Sequence, residues 1–394
     1  ESKWDIKSIK EFVDLQNGFA FKSSDYIDKS ETLNFRQANI RLEGVLDIEY
    51  KKTYLPDSFQ EKYSDFILKE NDVVIAMTDM NSELNLLAIP TIFKNSTEKI
   101  FLLNQRVGKF INFNLELINP LYLNIILKSQ ISRNQLKQLG FGSVQYNLSK
   151  KDLMDFKIPL PPIDIQQKII SEIEVLEEKE KQAKEEIEKL QESIKNVVSK
   201  ISGEMMSLSN ITSKIGSGAT PRGGEGAYKP SGISLIRSQN VYDNAFYKKG
   251  LAYIDNEQAK KLDNVTVEKN DILFNITGAS IARCCIVPEK YLPARVNQHV
   301  SIIRVTEKAL PKYVQTILIS DNYKSQLLDI GDNSTSREAL TKQQLEDFKI
   351  PLSPLSEQQK IVSEIEKIEV KINVLETEIT ALPKQKETIL KKYL

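Results

Sequence analysis

Arginine, asparagine and glutamine recur along this sequence in two sets that match at nearly constant spacing. Arg36-Gln37-Ala38-Asn39 answers to Arg237-Ser238-Gln239-Asn240 at a shift of 201, and Asn104-Gln105 answers to Asn297-Gln298 at a shift of 193. These side chains suit the reading of nucleic-acid bases: a guanidinium binds guanine bidentately and a carboxamide binds adenine. Matching residues can equally serve a shared fold, and for the Asn-Gln pairs both readings stand. The residues next to the pairs differ, Arg106 against His299. Ser143-Val144-Gln145-Tyr146 likewise aligns with Thr335-Ser336-Arg337-Glu338. Unlike side chains on a common frame are what two different targets would require. The candidate DNA-binding residues are therefore Arg36, Gln37, Asn39, Gln105, Arg106, Gln145 and Tyr146 in the first set. In the second set they are Arg237, Gln239, Asn240, Gln298, His299, Ser336 and Arg337.

Two further stretches suit phosphate. Residues 216–226 read GSGATPRGGEG, with Ser217, Thr220 and Arg222 as donors. A glycine-rich loop can bring backbone N–H groups close to a phosphate. No Gly-Lys-Ser/Thr follows, so it is not a Walker A loop, and a merely flexible loop remains an equal alternative. The corresponding place in the first set reads GFAFKSSDY at 18–26, with Lys22 and Ser23 among its donors. Thr78 and Thr277 complete the candidates; each follows a buried strand-like run, Val73–Met77 and Ile272–Ile276.

The elements that position these residues are themselves duplicated. Residues 155–174 read DFKIPLPPIDIQQKIISEIE and residues 347–366 read DFKIPLSPLSEQQKIVSEIE, with fifteen of twenty positions identical at a shift of 192. That identity is far beyond chance. A period this long means a duplicated domain rather than a solenoid. The shift drifts from 192 to 201 along the repeat, as small loop-length differences within one fold would produce. The helix entrance is nearly invariant between copies while the globular part keeps scattered anchors. One part does the same job twice and the other does two different jobs.

Each Pro-containing stretch precedes a long helix, since proline fixes the chain just before a helix and is excluded from its interior. In the first helix Ile173, Glu180, Ile187, Ile194 and Ile201 fall seven apart, with Ile169, Leu176, Ala183, Leu190 and Val197 as the companion row. In the second, Ile365, Ile372 and Ile379 accompany Ile361, Ile368, Leu375, Leu382 and Ile389. This is a heptad seam. An intramolecular antiparallel pair is the simplest way to bury both seams; packing of each helix on its own globular unit is the alternative. Pro383 is expected to kink or restart the second helix. A helix over 164–201 would extend ~57 Å at ~1.5 Å per residue, comparable to ~17 base pairs. Two antiparallel repeats also create an approximate two-fold axis, which matches the symmetry of duplex DNA. Each globular part mixes short strands with helices over 119–139 and 310–328, which points to an α/β unit with a mainly antiparallel sheet.

Composition bounds these readings. At ~150 residues per domain, 394 residues make two or three domains. The 54 basic and 54 acidic side chains balance, so the chain is not a generic polyanion binder. Residues 164–205 carry 7 basic against 11 acidic side chains and residues 206–355 carry 19 against 15, which does not forbid DNA. No apolar run approaches the ~20 residues of a membrane span. The N-terminal residues lack a signal pattern and an initiator Met; a cytoplasmic protein, trimmed at its start, is expected. The two cysteines, Cys284 and Cys285, are adjacent, which excludes a disulfide framework and fits a reducing compartment. A single histidine and no spaced cysteine pairs argue against a structural zinc site. His299 alone reads better as a structural or base-contacting residue than as a catalyst.

Enzyme signatures fail. Asn119-Pro120-Leu121-Tyr122 lacks a proline of the Asn-Pro-Pro-Tyr motif of adenine methyltransferases, and its repeat partner is Leu310-Pro311-Lys312-Tyr313. Both read as helix starts at proline. No strand-then-GxGxxG fingerprint accompanies them. The Glu and Lys runs at 177–189 sit on the solvated face of a heptad helix.

The pattern resembles the specificity subunit of type I restriction–modification systems. GFAFKSSDY, IGSGATP with IRSQN, and the twice-used Pro-rich entrance with QQKI look like its landmarks, and the likeness covers nearly the whole chain. The resemblance implies an α/β fold of two pseudo-repeated target recognition domains, 1–154 and 206–346. They would be joined by two long helices, in regions 155–205 and 347–394, that form an antiparallel coiled coil. It implies a non-catalytic DNA-binding subunit that reads a bipartite target in double-stranded DNA. Its partners would be two methyltransferase subunits and ATP-dependent restriction subunits that translocate and cleave, with no membrane contact. No cofactor is implied for this chain, because S-adenosylmethionine, ATP and Mg would act in the partners. A related specificity subunit serving a type IIB-like enzyme, or an enzyme in its own right, are the alternatives.

Overall fold

A computed structural model describes residues 3–142, 145–332 and 339–394. The candidates Ser336 and Arg337 lie outside the described residues. The chain forms two compact units, one of residues 1–182 and 378–394, the other of residues 183–377.

In unit 1 the strands Asp14–Asn17, Val107–Ile111, Val73–Ala76 and Pro90–Ile92 form an antiparallel sheet in that spatial order. A smaller sheet places Thr32–Phe35 between Tyr54–Leu55 and Ile100–Leu103, and pairs Thr32–Phe35 parallel to Ile100–Leu103. Unit 2 repeats this plan. Thr212–Ser217, Val300–Val305, Ile272–Asn275 and Cys284–Ile286 form the antiparallel sheet. Ile233–Ile236 pairs parallel with Ala294–Val296 in the other. The expected antiparallel α/β unit thus carries a parallel strand pairing in each copy. The strand-like runs at 73–77 and 272–276 are the strands Val73–Ala76 and Ile272–Asn275, buried throughout, as continuous apolar runs require.

The helices expected over 119–139 and 310–328 are each divided. Pro120–Lys128 and Gln130–Gln138 flank Ser129, whose extended backbone and side chain cap the second piece. Pro311–Ile319 and Asp321–Asp332 flank Ser320, whose backbone is likewise extended and whose hydroxyl donates to the Ile317 carbonyl at 2.7 Å. Serine competes for backbone N–H groups and so favours a cap over a helix interior. Pro120 and Pro311 open their helices at the first turn. The Asn119 side chain accepts the Leu121 N–H at 2.9 Å, which accounts for the Asn-Pro-Leu-Tyr sequence as a helix start. Tyr122 and Tyr313 are wholly buried, and their hydroxyls donate to the Pro159 and Pro351 carbonyls at 2.7 and 2.9 Å. Each ties its helix to the Pro-containing strand, Lys157–Pro159 or Lys349–Leu352.

Two long helices, Ile163–Ser199 and Leu355–Tyr393, follow these strands. The second continues through Pro383 as one helix, so the expected restart does not occur. Within unit 1, Ile169, Ile170 and Ile173 join the same core as Leu390. Lys392 and Tyr393 bond Glu172 at 2.6 and 2.5 Å. Lys386 pairs with Glu177 and Glu180 at 3.5 Å. Later residues of one helix meet earlier residues of the other, so the two segments run antiparallel in this unit. In unit 2, Val362 and Ile361 pack on the globular core with Ile201. No helix among the described residues is long and apolar enough to cross a membrane.

Cys284 and Cys285 are buried in the sheet of unit 2. Burial raises both thiols above their ordinary range, Cys285 to about 12. Since the thiolate is the reactive form, neither cysteine is expected to react with a thiol reagent at neutral pH until the chain unfolds. Labelling of the native chain at the rate of free cysteine would contradict this packing.

Candidate nucleic-acid interface

The strongest candidate site forms where four segments of unit 1 converge at one end of its sheets. Asn104 turns the chain from strand Ile100–Leu103 into Val107–Ile111. Its buried side chain accepts the Arg106 N–H at 3.2 Å. The Gln105 N–H donates to the Phe19 carbonyl at 2.9 Å, and the Gly18 N–H to Val107 at 3.2 Å. A Cβ on Gly18 would lie 2.2 Å from the Asn104 carbonyl oxygen, so only glycine allows the loop to close on the turn. The Met77 N–H donates to the Arg106 carbonyl and the Leu148 N–H to Met77, both at 2.9 Å. The pairing of Thr78–Asp79 with Tyr146–Asn147 brings in the fourth segment. This frame turns Gln105 and Arg106 outward, both exposed.

Unit 2 builds a similar frame on the same asparagine turn. The buried Asn297 side chain accepts the His299 N–H at 3.0 Å. The Gly218 N–H donates to the Asn297 carbonyl at 3.1 Å, and a Cβ on Gly218 would lie 1.8 Å from the Val296 carbonyl oxygen. The Ile276 N–H donates to His299 at 3.0 Å and the Leu340 N–H to Ile276 at 2.8 Å. Thr277 bridges to Ala339. Thr78 and Thr277, Gln105 and Gln298, and Arg106 and His299 therefore hold equivalent places. The side chains on this frame differ. In unit 2 Thr220, Gln298, His299 and Thr277 form one hydrogen-bonded chain, with contacts of 2.5, 3.1 and 2.7 Å.

The Arg-x-x-Asn anchors resolve differently. Asn39 and Asn240 are buried. Each accepts the N–H of its arginine, Arg36 at 2.9 Å and Arg237 at 3.0 Å. Their amide nitrogens donate to Asp47 and Tyr50 in unit 1, and to Tyr247 and Lys249 in unit 2. Enclosed and bonded within their own units, both asparagines brace a loop. Thr78 is 7% exposed and pairs with Asn147. Arg36 is half-buried and donates to the Lys51 carbonyl at 3.0 Å. Arg237 donates to Gly250 at 2.7 Å and pairs with Glu225 at 2.8 Å. Gln239 also donates to Gly250, at 2.9 Å, while Gln37 is half-buried.

Of the remaining candidates, Lys22, Ser23, Ser217 and Arg222 are exposed, and Gln145, Tyr146, Thr220 and Thr277 are half-buried. The Gln145 amide donates to Asn147 at 2.9 Å. In the glycine-rich loop Gly223 and Gly224 take φ of +96° and +57°, values that glycine adopts readily. The sequence reading did not single out Gly18, Gly218, Asn104 and Asn297 as the residues that set the site. The signal was present, since both pairs recur in the repeat.

Chemically, this surface offers outward amide, guanidinium, imidazole and hydroxyl groups on rigid turns, which is the equipment of base and phosphate recognition. Among the described residues no group of three or more His, Cys, Asp or Glu is placed to hold a metal ion.

Comparison with known proteins agrees with the duplication. The model of the type I restriction modification DNA specificity domain matches residues 1–189 and again 205–384. The MjaVIII type I restriction enzyme specificity subunit of Methanocaldococcus jannaschii is 30% identical over 177 residues, covering 43% of this chain and 38% of that subunit. A putative type I specificity subunit of the same organism, MjaX, is 22% identical over 98% of this chain and 92% of its own. The crystal structure of the type I S subunit from M. genitalium superposes with a TM-score of 0.56 at 14% identity, covering 100% of this chain and 96% of that one.

Proposed function

Because the chain belongs to the type I restriction modification DNA specificity family, we propose that it is the non-catalytic DNA-reading subunit of a type I restriction–modification complex. Its recognition domains, 1–154 and 206–346, each read one half of a gapped target in double-stranded DNA. Its helical regions, 155–205 and 347–394, dock two methyltransferase subunits, and restriction subunits join this assembly to translocate and cleave DNA. S-adenosylmethionine, ATP and Mg act in those partners, and this chain requires no cofactor. The complex works in the cytoplasm. The near-neutral charge fits a reader whose partners supply phosphate contacts. Linking two weak readers supplies selectivity through effective concentration.

One observation carries the reading. The turn held by the Asn104 and Asn297 side chains recurs in both units, while the side chains that follow it, Gln105-Arg106 and Gln298-His299, differ. Duplicated scaffolding with unlike reading groups suits two unlike half-sites.

The test is a methylome. This chain is co-expressed with the methyltransferase encoded beside it in a host lacking adenine methylation. A gapped bipartite motif that vanishes without this chain is expected. Exchanging residues 206–346 for another recognition domain is expected to change one half-site only. No new motif from a soluble complex, or a change in both halves, would overturn the reading.

A further inference from the structure

The polar chain in unit 2 fixes the direction in which one amide faces the solvent. The Thr220 hydroxyl donates to Gln298 Oε1, because a carbonyl oxygen can only accept. Gln298 Nε2 then faces His299 Nε2 at 3.1 Å. An amide nitrogen can only donate, so the ring Nε2 is the acceptor. The ring proton therefore sits on Nδ1, which donates to Thr277 Oγ1 at 2.7 Å. The Asn297 side chain and the Ile276 N–H hold the same turn from behind. After these bonds the exposed Gln298 amide keeps one N–H and one oxygen lone pair. In unit 1 the neighbour of Gln105 is Arg106, which has no acceptor to offer an amide nitrogen.

We propose that Gln298 is an adenine-reading fork, held in one orientation by Thr220 and His299. This rests on the DNA-reading role proposed above. In the major groove adenine presents an N6–H donor beside the N7 acceptor, which complements the remaining lone pair and N–H of the amide. Guanine presents two acceptors, O6 and N7. A freely turning amide could rotate its nitrogen toward O6, but the clamped one meets it with its carbonyl oxygen. The clamp thus converts a sequence-tolerant side chain into a selective one, because reversing the amide would break both bonds that hold it.

The test uses the complex of this chain with its methyltransferase subunits and duplexes carrying the motif found by the methylome. Each adenine of the half-site read by unit 2, other than the methylated one, is replaced in turn. One position is expected where a guanine–cytosine pair weakens wild-type binding by about 10- to 100-fold. At that position 7-deaza-adenine, which lacks N7, is expected to weaken binding by about fivefold. Both penalties are expected to shrink to within about twofold in Gln298→Ala, with the other half-site read unchanged. Gln298→Glu keeps the size of the side chain but offers only acceptors, and is expected to favour cytosine at the same position through its N4 amino group. Thr220→Val is expected to reduce the discrimination between adenine and guanine there. If every adenine tolerates 7-deaza substitution, or if Gln298→Ala weakens binding to all sequences alike, the fork assignment fails while the specificity-subunit reading stands. Absence of any gapped motif overturns both.

Discussion

Replacing Arg304 by Met is expected to destabilise unit 2 by about 3–5 kcal/mol, because it leaves a buried carboxylate without its counter-charge. Asp271 is 0% exposed. It accepts from Arg304 Nε at 2.7 Å and Nη2 at 2.8 Å, and from the Glu268 N–H at 2.7 Å. The same guanidinium reaches the Thr266 carbonyl at 3.0 Å and Glu268 at 2.5 Å. One planar fork therefore ties strand Val300–Val305 to the entrance of strand Ile272–Asn275. Lysine could not reproduce this geometry. Asp271 raises the guanidinium pKa through its hydrogen bond, so charge and geometry act in the same direction.

The equivalent aspartate of unit 1, Asp72, pairs instead with Lys109 from a different strand position, at 3.6 Å, and is more exposed. Lys109→Met should therefore cost less, about 1 kcal/mol. Urea unfolding followed by hydrogen exchange measures both. Faster exchange confined to the strands of unit 2 is the expected pattern for Arg304→Met. A loss below about 1 kcal/mol would mean that the carboxylate finds another partner. Removing the charge as well, in Arg304→Met with Asp271→Asn, should recover part of the loss.

The second large effect is expected at the twice-used Gln-Gln-Lys-Ile. Gln166 and Gln358, the first glutamine of each copy, are 0% and 1% exposed. Gln166 Oε1 accepts the Asn119 N–H at 2.8 Å, and its amide donates to Leu117 and Pro161 at 2.7 and 2.8 Å. Gln358 repeats the pattern with the Leu310 N–H at 2.8 Å and the Lys308 and Ser353 carbonyls at 3.1 and 2.8 Å. One side chain thus joins the start of a long helix to the start of a shorter one and to the Pro-containing turn. Leucine has the right volume but leaves one N–H and two carbonyls without this partner. At about 1–3 kcal/mol per unsatisfied buried group, Gln166→Leu should cost about 3 kcal/mol or more in unit 1. Gln358→Leu should do the same in unit 2. Gln167 and Gln359 are exposed, and changing either to Ala should be close to neutral. Equal effects of the buried and exposed glutamines would refute this account, and hydrogen exchange across 117–127 and 308–319 reads the difference.

This pair of glutamines shows how much was legible in the sequence. Fifteen identities in twenty positions marked the helix entrance as doing one job twice. That job is now visible as a three-point brace closed by a buried side chain. The heptad rows were legible for the same kind of reason. Ile169, Ile173, Leu176 and Ala183 are buried at their expected spacing, because helical periodicity is a local property that a seam must obey. Helix starts at Pro120 and Pro311 followed from proline's fixed backbone. The internal breaks at Ser129 and Ser320 were missed because a serine within an amphipathic run is weak local evidence for a cap.

The duplication, the long helices, the buried strands and the family were determined by the sequence alone, since each is written in residue order or local period. Which polar residue of each motif faces outward was decided only by the tertiary structure. Asn104 and Gln105 are neighbours of similar chemistry. One is buried because Gly18 lets a distant loop close within van der Waals distance of its carbonyl. The other is exposed by the same closure. Asn39 and Asn240 turn inward because carbonyls eight to eleven residues downstream in one unit and seven to nine in the other converge on their amides. Burial of a polar group follows from partners that only the folded chain brings together.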